Sequence, residues 1–233
     1  MTRTIERVLV ITAHPDDPEF AAGGTVAKLA AQGCRIAYVI VTDGSKGSSD
    51  RTIAPERLAR RREGEQWNAA RRLGVEHVAF LGHEDGEVED TRQLRLDITR
   101  QIRRWRPDLI ITQNPERRYD NFHAWHRDHR VTGGVVLDCV YPLARDHLAF
   151  PELSPEYEPH AVREVYLIQW EQPQLVVDIT DVMDAKLAAV ACHVSQIDDV
   201  TVVAGRVRAR AAALGAGEGY AYAEGFDHIV PAR

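Results

Sequence analysis

Strand-like and helix-like stretches alternate along most of this chain, and no other feature constrains its fold as tightly. The runs RVLVITA (7–13), RIAYVIVT (35–42), HVAFLG (77–82) and DLIITQ (108–113) are short, apolar and rich in β-branched residues. Between them lie GTVAKLAAQG (24–33), PERLARRREGEQWNAARRLG (55–74) and TRQLRLDITRQIRRWR (91–106), which have helical periodicity. Pro55 opens one of these helices, Gly33 and Gly74 close two, and Pro107 stops the third. Apolar strands joined by helical crossovers specify a parallel sheet covered on both sides. The expected fold class is therefore α/β, a Rossmann-like, doubly wound, mostly parallel sheet with helices on both faces.

Further on, 129–145 reads as a helix, 162–170 and 174–180 as strands, and 181–196 and 202–214 as helices. No internal repeat or low-complexity linker interrupts the pattern, so residues 1–233 read as a single domain.

In such sheets, sites form beyond the carboxyl ends of the strands. The first strand ends in HPDDPE (14–19), which crowds an imidazole and three carboxylates into six positions. Close carboxylates repel each other and resist leaving water, so this turn calls for a positive partner. It occupies the slot where a dinucleotide-binding protein carries its glycine-rich turn, and its charge repels phosphate. TQNPE (112–116) ends the fourth strand on the same sheet edge and leads to HAWHRDHR (123–130). His126 and His129 are three residues apart, which places them on one face of a helix. Histidine and aspartate from the two clusters supply nitrogen and oxygen ligands suited to zinc. Taken singly, an aspartate pair is an ordinary turn or helix cap, and His77, His83, His147 and His228 read as hydrogen-bonded surface residues.

The formal charge of −6 argues against a general nucleic-acid binder. No apolar run approaches the roughly 20 residues needed to span a bilayer, and the N-terminus lacks a signal-peptide profile. The expectation is a cytoplasmic protein with no membrane partner. Cys34, Cys139 and Cys192 are scattered, odd in number and without a CxxC pair, and so read as reduced thiols.

AHPDDPE (13–19) together with HRDH (126–129) resembles the PIG-L/LmbE-like zinc-dependent de-N-acetylases, whose pattern is AHPDDxE early and HxDH later. Arg62 and Glu65 followed by AARRLGV (69–75), FLGHEDG (80–86) and YAEGF (222–226) extend the likeness over nearly the whole chain. The resemblance implies that His14, Asp17 and His129 hold the metal and that Asp16 is the general base. It makes His126 the acid or oxyanion stabiliser, with Asp128 orienting it and keeping its pKa up. It implies Zn2+ as cofactor, with Fe2+ also suited to these ligands. The implied substrate is a small amino sugar of the N-acetylglucosaminyl type. Relatives often form trimers or hexamers, which implies a homo-oligomer. The rival readings are an amidase of sugar–thiol conjugates and a non-catalytic sugar- or nucleotide-binding module.

Other positions keep two readings each. Arg62 either contacts the sugar or is one more solvated cation of RLARRRE; Asp85 either binds a sugar hydroxyl or is a turn residue before Gly86. Ser45 and Lys46 sit on the same edge. Glu19 supports the ligands from behind or is a favourable acid in a helix's first turn. His193 reaches the site rim or belongs to core or surface. The tyrosine of some relatives is replaced by Ala124, leaving Tyr119, Phe122 and Trp125 as loop candidates.

Overall fold

The computed structural model describes residues 4–117 and 126–231. Tyr119, Phe122, Ala124 and Trp125 lie outside the described residues. The elements run β1 (Arg7–Thr12), α1 (Asp17–Ala31), β2 (Arg35–Thr42), α2 (Pro55–Arg72), β3 (His77–His83), α3 (Arg92–Trp105), β4 (Leu109–Gln113) and α4 (Arg127–Asp138). Then follow β5 (Glu164–Ile168), β6 (Leu175–Asp178), α5 (Met183–Val190), α6 (Val200–Gly215) and β7 (Ala223–Ile229).

The strands form one seven-stranded sheet in the order β3-β2-β1-β4-β5-β7-β6. β1 to β5 pair in parallel, and β7 pairs antiparallel with both β5 and β6. The sheet is thus α/β and mostly parallel, with β7 as its reversed member. Period-two alternation sends neighbouring residues of β1 to opposite faces. Val8 and Val10 pack with Ala22 and Val26 of α1 and Ala69 of α2. Leu9 and Ile11 pack with Ile98 and Ile102 of α3 and Val135 of α4. Each such fully buried aliphatic side chain contributes roughly 1.5–3 kcal/mol.

Three boundaries differ from the sequence reading. α1 begins at Asp17 rather than near residue 24, because Pro18 fits a first helical turn and Asp17 and Glu19 complement its dipole. The helix expected over 129–145 is regular only to Asp138, and Cys139–Leu143 form a looser turn around Pro142. The segment expected as one helix over 181–196 is α5 followed by a short 3-10 turn at Val194–Gln196. Among the described residues no helix is long and apolar enough to cross a membrane.

The strand order reverses between β1, whose successor β2 lies on one side, and β4 on the other. That switch point opens a crevice at the carboxyl edge, and both motif clusters flank it.

Candidate metal centre and its surroundings

The turn after β1 is held in a conformation that few residues adopt. Asp16 has φ = 98°, in a region that costs a residue with a Cβ roughly 1–3 kcal/mol. Two side chains from α2 hold it there. Gln66 accepts the Asp16 backbone N–H through Oε1 at 2.8 Å. Arg62 donates through Nη2 to the Pro15 carbonyl at 2.6 Å and to Asp16 Oδ2 at 3.3 Å, and through Nη1 to the Gly44 carbonyl at 3.0 Å. A Cβ on Gly47 would lie 2.5 Å from Arg62 Nη1, so the glycine leaves the guanidinium in its place. Arg62 is 4% exposed, so it is not the solvated cation of one reading. It lines the crevice while bracing the acidic turn.

α4 brings the second cluster close. A Cβ on Gly133 would lie 2.2 Å from the Gln113 carbonyl, so only glycine lets the helix rest on the end of β4. One turn earlier, His129 reaches the crevice. His14 Nδ1 lies 3.1 Å from His129 Nε2 and 3.3 Å from Asp17 Oδ2, and His129 Nε2 lies 3.2 Å from Asp17 Oδ1. Ligand atoms about 2.0–2.1 Å from a tetrahedral centre stand roughly 3.3 Å apart. The spacing and the donor chemistry of these three side chains therefore fit a divalent ion. His126 joins the group, its ring centroid 4.6 Å from that of His14 and 4.8 Å from that of His129.

The other side of the His14 ring is a hydrogen-bonded support. His14 Nε2 lies 3.1 Å from Asp128 Oδ2 and 3.2 Å from Asp85 Oδ1. Asp128 also accepts the backbone N–H groups of Gly86 and Val88, at 2.7 and 3.2 Å, and Asp85 accepts that of Lys46 at 3.0 Å. His14, Asp85 and Asp128 thus form a second group of potential ligands, but their polar atoms are already engaged. This corrects the expected role of Asp128: its hydrogen bonds go to His14 and the 86–88 backbone, because the carboxylate points under the crevice. Asp85 is likewise more than a turn residue.

Electrostatics follow from this crowding. Burial disfavours a charged His14, yet hydrogen bonds to Asp128, Asp17 and Asp85 push its pKa up to about 12. Burial also works against ionised Asp17, but His129 and His14 hold its carboxyl well below the usual range. Burial pushes Asp16 up to about 6, opposed by Arg62. The expected elevation of His126 is not found. Burial, then the positive charge of His14 and His129, lowers its pKa, and Asp128 and Asp17 do not restore it.

Three supporting residues had escaped singling out or stayed ambiguous in the sequence. Gln113 donates to Asp17 Oδ2 at 2.8 Å and accepts the Ala13 N–H at 3.0 Å, tying β4 to the turn. Its position at the last residue of a strand was the available signal. Glu19, 0% exposed, accepts from Gln66 at 3.0 and 3.1 Å and pairs with His193 Nε2 at 2.9 Å. His193 is itself 0% exposed, so it belongs to the core beneath Asp16 and not to the rim.

Comparison with known proteins agrees with this constellation. Residues 9–140 match the PIG-L family, described as GlcNAc-PI de-N-acetylase. The chain belongs to the PIG-L family. A Thermococcus kodakarensis relative named diacetylchitobiose deacetylase is 34% identical, over 97% of this chain and 87% of the relative. A Bacillus cereus protein named as a probable N-acetyl-alpha-D-glucosaminyl L-malate deacetylase is 30% identical, over 82% of this chain and 84% of its own. Among solved structures, N,N'-diacetylchitobiose deacetylase from Pyrococcus horikoshii superimposes with a TM-score of 0.89 at 32% identity, covering 97% of this chain and 84% of that one. This PIG-L chain is therefore similar throughout its length to proteins named as deacetylases.

Proposed function

We propose that this PIG-L protein is a zinc-dependent hydrolase that removes the N-acetyl group of an N-acetylglucosaminyl-type small molecule. The observation that carries the reading is the convergence of His14 Nδ1, Asp17 and His129 Nε2 within 3.1–3.3 Å, beside Asp16 and His126. In this reading those three residues hold the ion, and the donor set also suits Fe2+. When bound, the ion supplies Lewis acidity at the substrate carbonyl and at the attacking water.

The remaining chemistry belongs to side chains. Asp16 takes a proton from the water; a carboxylate with a pKa near 6 is a competent base at neutral pH. Arg62 fixes Asp16 Oδ2 and leaves its second oxygen for that proton. His126 donates an N–H to the developing oxyanion and passes a proton to the departing nitrogen. Water adds, the amide C–N bond breaks, and a carboxylate and a free amine leave. Asp128 and Asp85 act through His14, fixing its ring so that Nδ1 is turned toward His129 and Asp17, where it would be available to hold the ion. The enzyme would work in the cytoplasm as a homo-oligomer on a diffusible substrate, with no nucleic-acid or membrane partner.

The test is amine release from N-acetylglucosamine conjugates by zinc-loaded protein, chelator-treated protein and Asp16→Asn. Release by the zinc form alone, with Asp16→Asn keeping its zinc while turnover falls about 10²–10⁴-fold, is expected. A binding module would hold no stoichiometric zinc and release no amine. Loss of zinc from Asp16→Asn would show that Asp16 is a ligand and not the base.

A further inference from the structure

Two cavities of similar size meet at Asp17 and His129. The polar one, about 390 Å³, contains Asp16, Arg62, Asp85 and His126. The other, about 410 Å³, lies against α6 and is also lined by Phe20 and Trp170. His126 and Asp16 do not border this second cavity.

One stripe of α6 faces it. Val203, Arg206, Val207, Arg210, Ala211 and Leu214 recur with the three- and four-residue spacing of a single helix face. In most helices such a stripe meets the core, but here only Ala211 and Gly215 of the helix are buried. Arg206 and Arg210 are one turn apart, where like charges repel. Both are exposed, and neither has a carboxylate partner among the described residues. Arg210 lies over the Trp170 ring at 4.6 Å, which limits its freedom. Lys186 and Glu224, also on the wall, neutralise each other at 2.5 Å. The wall is thus largely apolar, and beyond the Lys186–Glu224 pair the positive charge of Arg206 and Arg210 exceeds the single negative charge of Asp17.

We propose that this second cavity is an acyl pocket, and that besides N-acetyl compounds the enzyme cleaves amino-sugar amides whose acyl chain is longer, apolar in its body and terminated by a carboxylate. The proposal rests on the hydrolase reading above. There the departing nitrogen lies beside His126 in the polar cavity. The other substituent of the carbonyl carbon then runs across Asp17 and His129 toward Phe20, Trp170 and α6. An acetyl methyl fills little of 410 Å³, whereas cavities of this size ordinarily enclose much larger groups. The terminal carboxylate reaches Arg206 and Arg210 and relieves their repulsion. Hydrolysis is unchanged: water adds, the C–N bond breaks, and the acyl group leaves as a dicarboxylate.

The test compares kcat/KM of the zinc-loaded full chain on N-acetyl-, N-hexanoyl- and N-adipoyl-glucosamine. The adipoyl compound should exceed the hexanoyl compound at least tenfold and fall within tenfold of the acetyl compound. Arg206→Gln/Arg210→Gln should bring adipoyl down to the hexanoyl rate. Val203→Trp, which narrows the cavity, should lower both long chains relative to acetyl at least tenfold. Cleavage of the acetyl compound with rejection of longer chains would overturn the acyl pocket and leave the deacetylase reading standing. Equal rates on hexanoyl and adipoyl would overturn the carboxylate-ended substrate. No cleavage of any of the three would overturn both readings.

Discussion

Two buried carboxylate sites lie within one helix of each other and have opposite characters. Glu224, on β7, accepts the backbone N–H groups of Gly24 and Thr25 at 2.8 and 2.7 Å and pairs with the Lys186 ammonium at 2.5 Å. Lys186 in turn donates to the Phe20 carbonyl at 2.9 Å. Every charge there has its counter-charge within the chain. At the crevice, Asp16, Asp17, Asp85 and Asp128 surround His14 and His129, and among the described residues Arg62 is the one arginine in contact. His14 is driven toward its cationic form because protein cations are too few there. The difference teaches how a structural ion pair and a functional site can be told apart: the first is electrically complete, and the second leaves room for an external cation.

That comparison can be broken or sharpened by measurement. Removing one of the three proposed ligands should have the largest effect. His129→Ala should reduce bound zinc from about one per chain to near zero and abolish turnover, while the metal-free fold unfolds at nearly the same urea concentration. Metal analysis and urea titration together check this. At the complete site the outcome should reverse. Lys186→Met strands a buried carboxylate and should lower stability by about 3–5 kcal/mol, read from urea unfolding, with zinc per folded chain unchanged. An unmoved urea midpoint would remove the contrast. Asp128→Asn weakens the support of His14 and the anchoring of the 86–88 backbone, so zinc affinity measured against a competing chelator should fall roughly 10–100-fold.

The smallest effect concerns the pair beneath Asp16. Burial opposes the charged form of His193, but Glu19, aided by Asp16 and Glu65, raises its pKa above the ordinary value. A raised folded-state pKa means the folded protein binds the proton more tightly. The stabilisation from this group is therefore full below about pH 6.5 and fades as pH rises through the elevated folded value. Urea midpoints should decline over that alkaline interval in the parent protein and decline less in His193→Asn.

Much of this was readable beforehand. The four early strands, the helices between them and the placement of both motif clusters on one edge follow from periodicity and the doubly wound rule. β7 was not readable, since AEGFDHI carries glycine and charge and is a strand because β5 and β6 flank it. Within RLARRRE, composition does not say which arginine turns inward. The burial of Arg62 depends on where α2 lies against the 13–16 and 43–47 turns. The partner of Asp128 was misassigned for a similar reason: sequence proximity favours His126, but α4 aims the carboxylate at His14.

By itself the sequence determined the α/β architecture, the chemistry of the donor atoms and the edge on which they gather. These depend on residue type and on short-range periodicity, which the chain carries locally. Only the tertiary structure decided which donors touch, which arginine braces the acidic turn, and that a second cavity opens beside Asp17 and His129. Those outcomes depend on distances between segments more than a hundred residues apart, such as His14 and His129, and such distances are set by packing of the whole sheet and its helices.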